Sequence, residues 1–212
     1  RANMFRITGD VWDDPRDFQK IMDRWCIYQD ANTANCRIDL DMIPFGALQV
    51  YAQEAGSEGD EALLAGRGFR RMSSFTTQQK QFFITMLALA ASPLMFGGEL
   101  TMSDDESFEL VTHPEILACN ANNVCGKQVY FQNYIDIRHT RHATEAESGW
   151  VGIFNRKTVD RHMAFTRAEL GIPASISNVC SIWDNRNLAL DADRLRVFCP
   201  GRSVVFLRYG RS

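Results

Sequence analysis

In the stretch RITGDVWDD, Arg6 and Asp10 stand four residues apart, and two further aspartates, Asp13 and Asp14, follow. Side chains two and four apart on a strand share a side, so this spacing puts a guanidinium beside a carboxyl group. A positioned carboxyl can deliver or remove a proton at a bond being broken. An arginine can grip a carboxylate or a polar substrate through its fork of N–H donors. The later stretch RIDLDMI adds Asp39, Asp41 and Met42 at the end of a second β-prone run. Acidic clusters are more often solvated surface or helix caps than catalytic groups, so the elements that carry these residues decide the reading.

Met4–Thr8 is a short β-prone run closed by Gly9 and Asp10. Phe18, Ile21, Met22, Trp25 and Cys26 then recur at i, i+3, i+4, i+7 and i+8, the stripe of an amphipathic helix. Asp13 or Asp14 is the expected cap, with Pro15 at the first helical position, where its missing N–H costs nothing. Asp10 therefore falls between the carboxyl end of a strand and the next helix. The second strand is expected over Arg37–Ile43, again ending in a carboxylate, Asp41. Asp39 is expected to be a structural strand-end acid. Gln53–Gly68 reads as a loop with one short helical turn. TTQQKQFFITMLALAAS is a helix with Thr76 and Gln79 spaced for a capping box. PLMFGGEL reads as a buried strand ending in glycines. Two short helices follow, with capping boxes expected at Ser103/Glu106 and Thr112/Glu115, which leaves His113 in a first helical turn.

Strand, helix, strand, helix, strand, helix is the order of a parallel α/β structure. Past about Val124 the pattern becomes short β-prone runs divided by Gly, Pro, Asn and Asp, expected to form an antiparallel β-sandwich. The predicted organisation is residues 1–123 as an α/β part and 124–212 as an all-β part, with the boundary near Asn120–Gly126. Trp150 and Trp183 are expected in the sandwich core.

The 212 residues carry a net charge of −3, so a nucleic-acid partner, which needs a clustered basic excess, is not expected. The longest apolar run, around Phe82–Ala91, is broken by Thr85 and shorter than a membrane span of about 18 residues, so no membrane partner is expected. None of Cys26, Cys36, Cys119, Cys125, Cys180 and Cys199 forms a C-x-x-C pair, and buried free thiols are expected rather than a zinc ribbon. His139 and His142 fall in the β region without supporting carboxylates, so neither a metal nor a cofactor is expected. The opening RANMF reads as the interior of a longer chain, which leaves localisation unknown.

MFRITGDVWDD, RIDLDMI, TQQKQFFITMLALAASPLMFGGEL and LVTHPEILACNAN, in that order, resemble the second half of the catalytic barrel of α-galactosidases and α-N-acetylgalactosaminidases. These form glycoside hydrolase family 27, with family 36 as a clan relative. The tail, with WVGIFNRKT, FTRAELGIP, ISNVCSIWDNRNLAL and LRVFCPGRSVVFLRYG, is similar to the C-terminal β-sandwich of the same family. Together the blocks cover essentially the whole chain. The resemblance implies the C-terminal part of an eight-stranded (β/α) TIM barrel, with its active site at the carboxyl ends of the strands, followed by an antiparallel β-sandwich. A secreted or periplasmic setting would suit that family.

The resemblance further implies that Asp10 is the general acid/base, that Arg6 contacts the sugar and orients carboxylates, and that Asp41 and Met42 line the galactose pocket. Where the family more often carries Trp-Asn-Asp-Pro, this chain has Arg37-Ile38-Asp39-Leu40. A retaining glycosidase needs two carboxyls about 5–5.5 Å apart, one nucleophile and one acid/base. The family's nucleophile lies on a strand upstream of Arg1, so the chain is expected to supply half a site and to need its missing N-terminal barrel half. A close arginine favours an ionised carboxylate, so Arg6 is expected to bind substrate or the nucleophile first and Asp10 secondarily. The implied substrate is an α-galactoside oligosaccharide or glycoconjugate. α-N-Acetylgalactosamine and β-L-arabinopyranose share most of the same pocket demands, and a non-catalytic carbohydrate-binding or assembly fragment stays open beside them.

Overall fold

The computed structural model describes residues 2–33, 35–50 and 69–210; the expected loop at Gln53–Gly68 lies outside them. Strand β1 (Met4–Arg6) leads through α1 (Asp17–Tyr28) to β2 (Arg37–Asp39). The two strands pair in parallel, with Arg6 opposite Asp39, and the Ile7 amide continues the ladder onto the Asp39 carbonyl at 3.0 Å. This is a βαβ unit, and its α1 buries Phe18, Ile21, Met22 and Trp25, the stripe legible in the sequence. The expected cap differs. Arg16 precedes the helix without a side-chain cap, Asp14 binds Arg16, and Asp13 is held elsewhere.

The chain next forms a hairpin of β3 (Ala47–Val50) and β4 (Phe69–Met72), then α2 (Thr77–Leu89). Thr76 and Gln79 form the expected capping box. From Phe82 to Leu89 every side chain of α2 is buried, because this part of the helix packs against its neighbours on every side, while its first turn is largely exposed. Its one buried cation, Lys80, is satisfied by Asp104 at 3.2 Å, Glu106 at 2.7 Å and the Ser107 hydroxyl at 3.1 Å. PLMFGGEL is not the expected strand. Ile43 makes a parallel bridge to Phe96 there and Ala47 an antiparallel one to Glu99. Gly98 cannot carry a side chain in this run, since a Cβ would lie 2.1 Å from the Phe45 carbonyl.

The short helices α3 (Asp105–Val111) and α4 (Pro114–Ala121) follow a 3-10 turn at Leu100–Met102. Their caps sit one residue later than the spacing suggests. Asp104 accepts from the Ser107 amide, and His113 accepts from the Glu115 amide through Nδ1, with Pro114 at the first helical position.

The remainder is antiparallel. Strands β5 (Lys127–Gln132), β6 (Ile135–Arg141), β7 (Gly149–Asn155), β9 (Asn178–Ser181), β10 (Arg186–Ala189) and β12 (Ser203–Tyr209) form one sheet in the order 10-9-12-7-6-5. Strands β8 (Arg161–Thr166) and β11 (Arg194–Cys199) pair as a second layer, and the short helix α5 (Arg167–Leu170) follows β8 directly. One face of the large sheet packs Ile137, Val151, Ile153 and Leu207 against Phe165, Leu195 and Val197 of the second layer. The other face carries Trp150, Phe154 and Phe206 into a single core with Trp25 of α1 and Phe82 of α2. The expected fold class, barrel elements followed by an antiparallel sandwich, is what the structure shows. Trp150 and Trp183 differ from expectation: both face the helices, donating through Nε1 to Glu115 and Thr85 at 3.0 and 3.1 Å. All six cysteines are free thiols.

His139 and Tyr209 form a polar pair inside the sandwich, Nε2 to hydroxyl at 2.7 Å. Burial pushes the imidazole down to about 4 and the phenol up to about 12. The unfolded chain takes up a proton near pH 6.5 that the folded chain refuses until about pH 4. Stability contributed by neutral His139 is therefore complete above about pH 6.5 and lost as pH falls towards 4, an effect of about 3 kcal/mol. Urea midpoints measured across that range will fall with acid in the wild type, and the slope will flatten in His139→Phe. An unchanged slope in the variant would assign the acid sensitivity to other groups.

Candidate active site

The parallel pair β1–β2 sets the site. Its strands end together, so the segments after Arg6 and after Asp39 leave the same edge side by side. Asp41 closes this edge. Its carboxylate is 3% exposed and forms an ion pair with Arg6. It also accepts the Val11 amide at 2.6 Å through Oδ2 and the Met42 amide at 2.7 Å through Oδ1. The Asp39 carboxylate in turn accepts the Asp41 amide at 2.8 Å, and the Ser92 hydroxyl accepts the Leu40 amide at 3.0 Å. These bonds hold Asp41 at φ +86°, a conformation non-glycine residues rarely adopt. Backbone strain of this kind costs about 1–3 kcal/mol and persists where surrounding bonds over-determine it.

Asp10 is opposite in character. Its side chain is 87% exposed, and its contact is Arg6, 3.5 Å away. The loop Thr8–Val11 is tied at Val11 to Asp41 and at its strand end to Asp39, so Asp10 projects from a fixed segment. Arg6, about one-third exposed, reaches both carboxylates, with Asp41 the nearer. The structure thus brings Arg6, Asp10 and Asp41 together. Through its bonds to Arg6, Val11 and Met42, Asp41 clamps both the Asp10 loop and Arg6. Met42 is 43% exposed beside them. Gly97 lies so close to it that a Cβ would meet the Met42 sulfur at 2.6 Å.

Asp13, expected as a cap, holds the β4 side of the site. It is buried and accepts Arg71 through both oxygens, at 2.5 and 2.8 Å, and the Ser74 amide at 2.5 Å. Burial alone would raise its pKa; the Arg71 and Ser74 bonds outweigh that and hold the carboxyl at about 2. Nothing in the local sequence signals this pairing across 58 residues. His139 and His142 are engaged separately, the first with Tyr209 and the second accepting the Glu145 amide at 3.0 Å. Among the described residues there is no group of three or more His, Cys, Asp or Glu side chains able to hold a metal ion. No helix among them is long and apolar enough to cross a membrane.

The chain is similar to known carbohydrate-active enzymes. An isomalto-dextranase from Arthrobacter globiformis is 28% identical over 160 residues, covering 70% of this chain and 24% of that protein. Alpha-galactosidase 2 from Arabidopsis thaliana is 24% identical over 200 residues, covering 87% of this chain and 40% of that protein. A β-L-arabinopyranosidase of glycoside hydrolase family 27 from Geobacillus stearothermophilus, solved with arabinose, superposes over 100% of this chain and 46% of its own. The TM-score is 0.85 and the identity 23%. The chain therefore spans less than half the length of each of these proteins. No family model matches it. The resemblance to family 27 read from the sequence is borne out, and the fold is that of the C-terminal portion of such an enzyme.

Proposed function

We propose that this chain supplies the general acid/base half of a retaining glycoside hydrolase that releases terminal α-linked galactose, with Asp10 as the proton donor. The observation that carries the reading is the contrast between two neighbouring aspartates. Asp41 is buried and bonded on both oxygens, whereas Asp10 stands exposed at the end of a parallel strand on a loop that Asp41 itself holds. The ends of such strands are where barrel enzymes place their chemistry.

A double displacement also needs a nucleophile. Asp41 is a poor candidate, because Val11, Met42 and Arg6 already occupy its oxygens. The resemblance to family 27 implies a nucleophile on a barrel strand upstream of Arg1, and the N-terminal barrel half would then be the partner this chain requires. Arg6 bridges Asp10 and Asp41 in this structure and is free to turn part of its fork to a sugar hydroxyl or to the nucleophile. Met42 offers an apolar edge to the same face. Residues 1–123 would then form the barrel part and 124–212 the sandwich.

The greater identity to an isomalto-dextranase favours a second reading, an enzyme of the same site chemistry acting on dextran. Hydrolysis of nitrophenyl α-galactoside, α-N-acetylgalactosaminide and β-L-arabinopyranoside, with dextran alongside, separates the two in the full-length protein. Release from the α-galactoside is the expected result. Turnover of dextran alone selects the second reading, and no hydrolysis of any of the four refutes both.

A further inference from the structure

Phe198 is 45% exposed on β11, although the rest of the alternation there puts charged residues outward and Leu195, Val197 and Cys199 inward. Phe198 sits near the end of the β8–β11 ladder and leaves almost half of its ring in solvent. It is also not isolated. His162, its cross-strand partner on β8, lies with its ring centroid 4.7 Å away at 38°. Phe198 stands between two concavities and lines both. One, of about 380 Å³, runs over His162 and Arg196. The other, of about 180 Å³, runs toward Trp183, Arg186 and Gln81 at the sandwich–α2 junction.

The lining of the second concavity is preorganised. The Trp183 indole donates to Thr85 at 3.1 Å and packs against His113 and Phe206, with centroids 5.1 and 6.1 Å away. Asp184 accepts the Ser181 hydroxyl at 2.8 Å and lies 3.6 Å from Arg186. A groove whose walls are fixed before binding loses little entropy when it is filled.

We infer that this groove across Phe198 is a binding site for an extended neutral polysaccharide, separate from the Asp10 site. Three features select that occupant. The exposed Phe198 ring, with half-buried Trp183 beyond it, suits the apolar C–H faces of pyranose rings, since such side chains supply large contact area beside polar partners. Guanidinium, amide, imidazole and carboxylate groups together offer both donors and acceptors, which is what hydroxyl groups need. The charges are mixed, with Asp184 among Arg186 and Arg196, so the groove does not complement a polyanion. Because the two concavities meet at Phe198, the occupant is a chain long enough to cross it. This inference goes beyond the catalytic reading and does not depend on it.

The test is affinity electrophoresis of the full-length protein in gels holding dextran, galactomannan or polygalacturonate, in an Asp10→Asn background so that binding is read without turnover. The expected result is retardation by a neutral polymer and at least about fivefold weaker binding in Phe198→Ala, as befits a central aromatic anchor. The circular dichroism spectrum should stay unchanged, because Phe198 lies outside the core. Gln81→Ala, on the far side of the groove, should weaken binding in the same polymer. Equal retardation of wild type and both variants overturns the inference, as does retardation by polygalacturonate alone. A protein with native Asp10 that hydrolyses none of the glycosides yet shows the groove phenotype would count against the catalytic reading only.

Discussion

Asp10→Asn in the full-length protein will reduce hydrolysis of galactosides with poor leaving groups by about 10²–10⁴-fold, the usual worth of a positioned general acid. Substrates with strongly acidic leaving groups, such as dinitrophenyl, will lose much less in the glycosylation step, because they depart without protonation. This leaving-group dependence separates a proton donor from a residue that merely shapes the site, which would lower all rates alike. Asp14→Asn is the matched control. Asp14 is the third carboxylate of the same acidic run, but it binds Arg16 at 2.5–2.9 Å rather than facing Arg6, and its replacement should leave the rates within about twofold, as for a surface ion pair. Unchanged turnover of poor substrates by Asp10→Asn would remove the assignment. A loss shared equally by both variants would trace the effect to the loop and not to proton transfer.

Much of this site was readable before the fold was known, and the parts that were not share a cause. The stripe Phe18, Ile21, Met22, Trp25 and the pair Thr76/Gln79 are local signals, and both elements form as their spacing demands. The four-residue spacing of Arg6 and Asp10 is local too, and the two side chains do meet. Asp13 resembles a cap because helix-capping residues occur at such positions, yet Arg71 and Ser74, about 60 residues away, claim it. PLMFGGEL has the apolar content of a buried strand, and periodicity cannot separate a full strand from a single bridge. Trp150 and Trp183 look like core of the β part; the sequence does not say that one face of the sheet is covered by α1 and α2. Asp41 shows the limit most clearly. Its position at a strand end is legible, but its φ of +86° and its three partners are products of the assembled edge.

Asp136→Ala should destabilise the protein by about 3–5 kcal/mol, the range for breaking a buried ion pair from one side. Asp136 is fully buried on β6 and accepts Arg138 at 2.8 and 3.0 Å and Arg156 at 3.3 Å. Both arginines reach out of the sheet into α1. Arg138 donates to the Met22 carbonyl and Gln29 at 3.3 Å and lies 4.4 Å over the Trp25 ring. Arg156 donates to the Gln19 carbonyl at 2.9 Å and to Asp23 at 2.5 Å. Removing the carboxylate leaves Arg138 charged and dry with neutral partners only, whereas Arg156 keeps Asp23. The double replacement Asp136→Leu with Arg138→Met should recover most of the loss, since apolar residues of similar volume often equal or exceed a buried pair. Urea denaturation of the single and double variants measures both effects. Because α1 begins at Asp17, a short way after the Asp10 loop, the single variant should also lower catalytic rate at temperatures where it remains folded. The double variant should restore stability before it restores rate, since Leu and Met cannot reproduce the bonds that fix α1 against the sheet. A single variant as stable as the wild type would show that the sheet and α1 are held by the Trp25, Phe82 and Phe154 core alone.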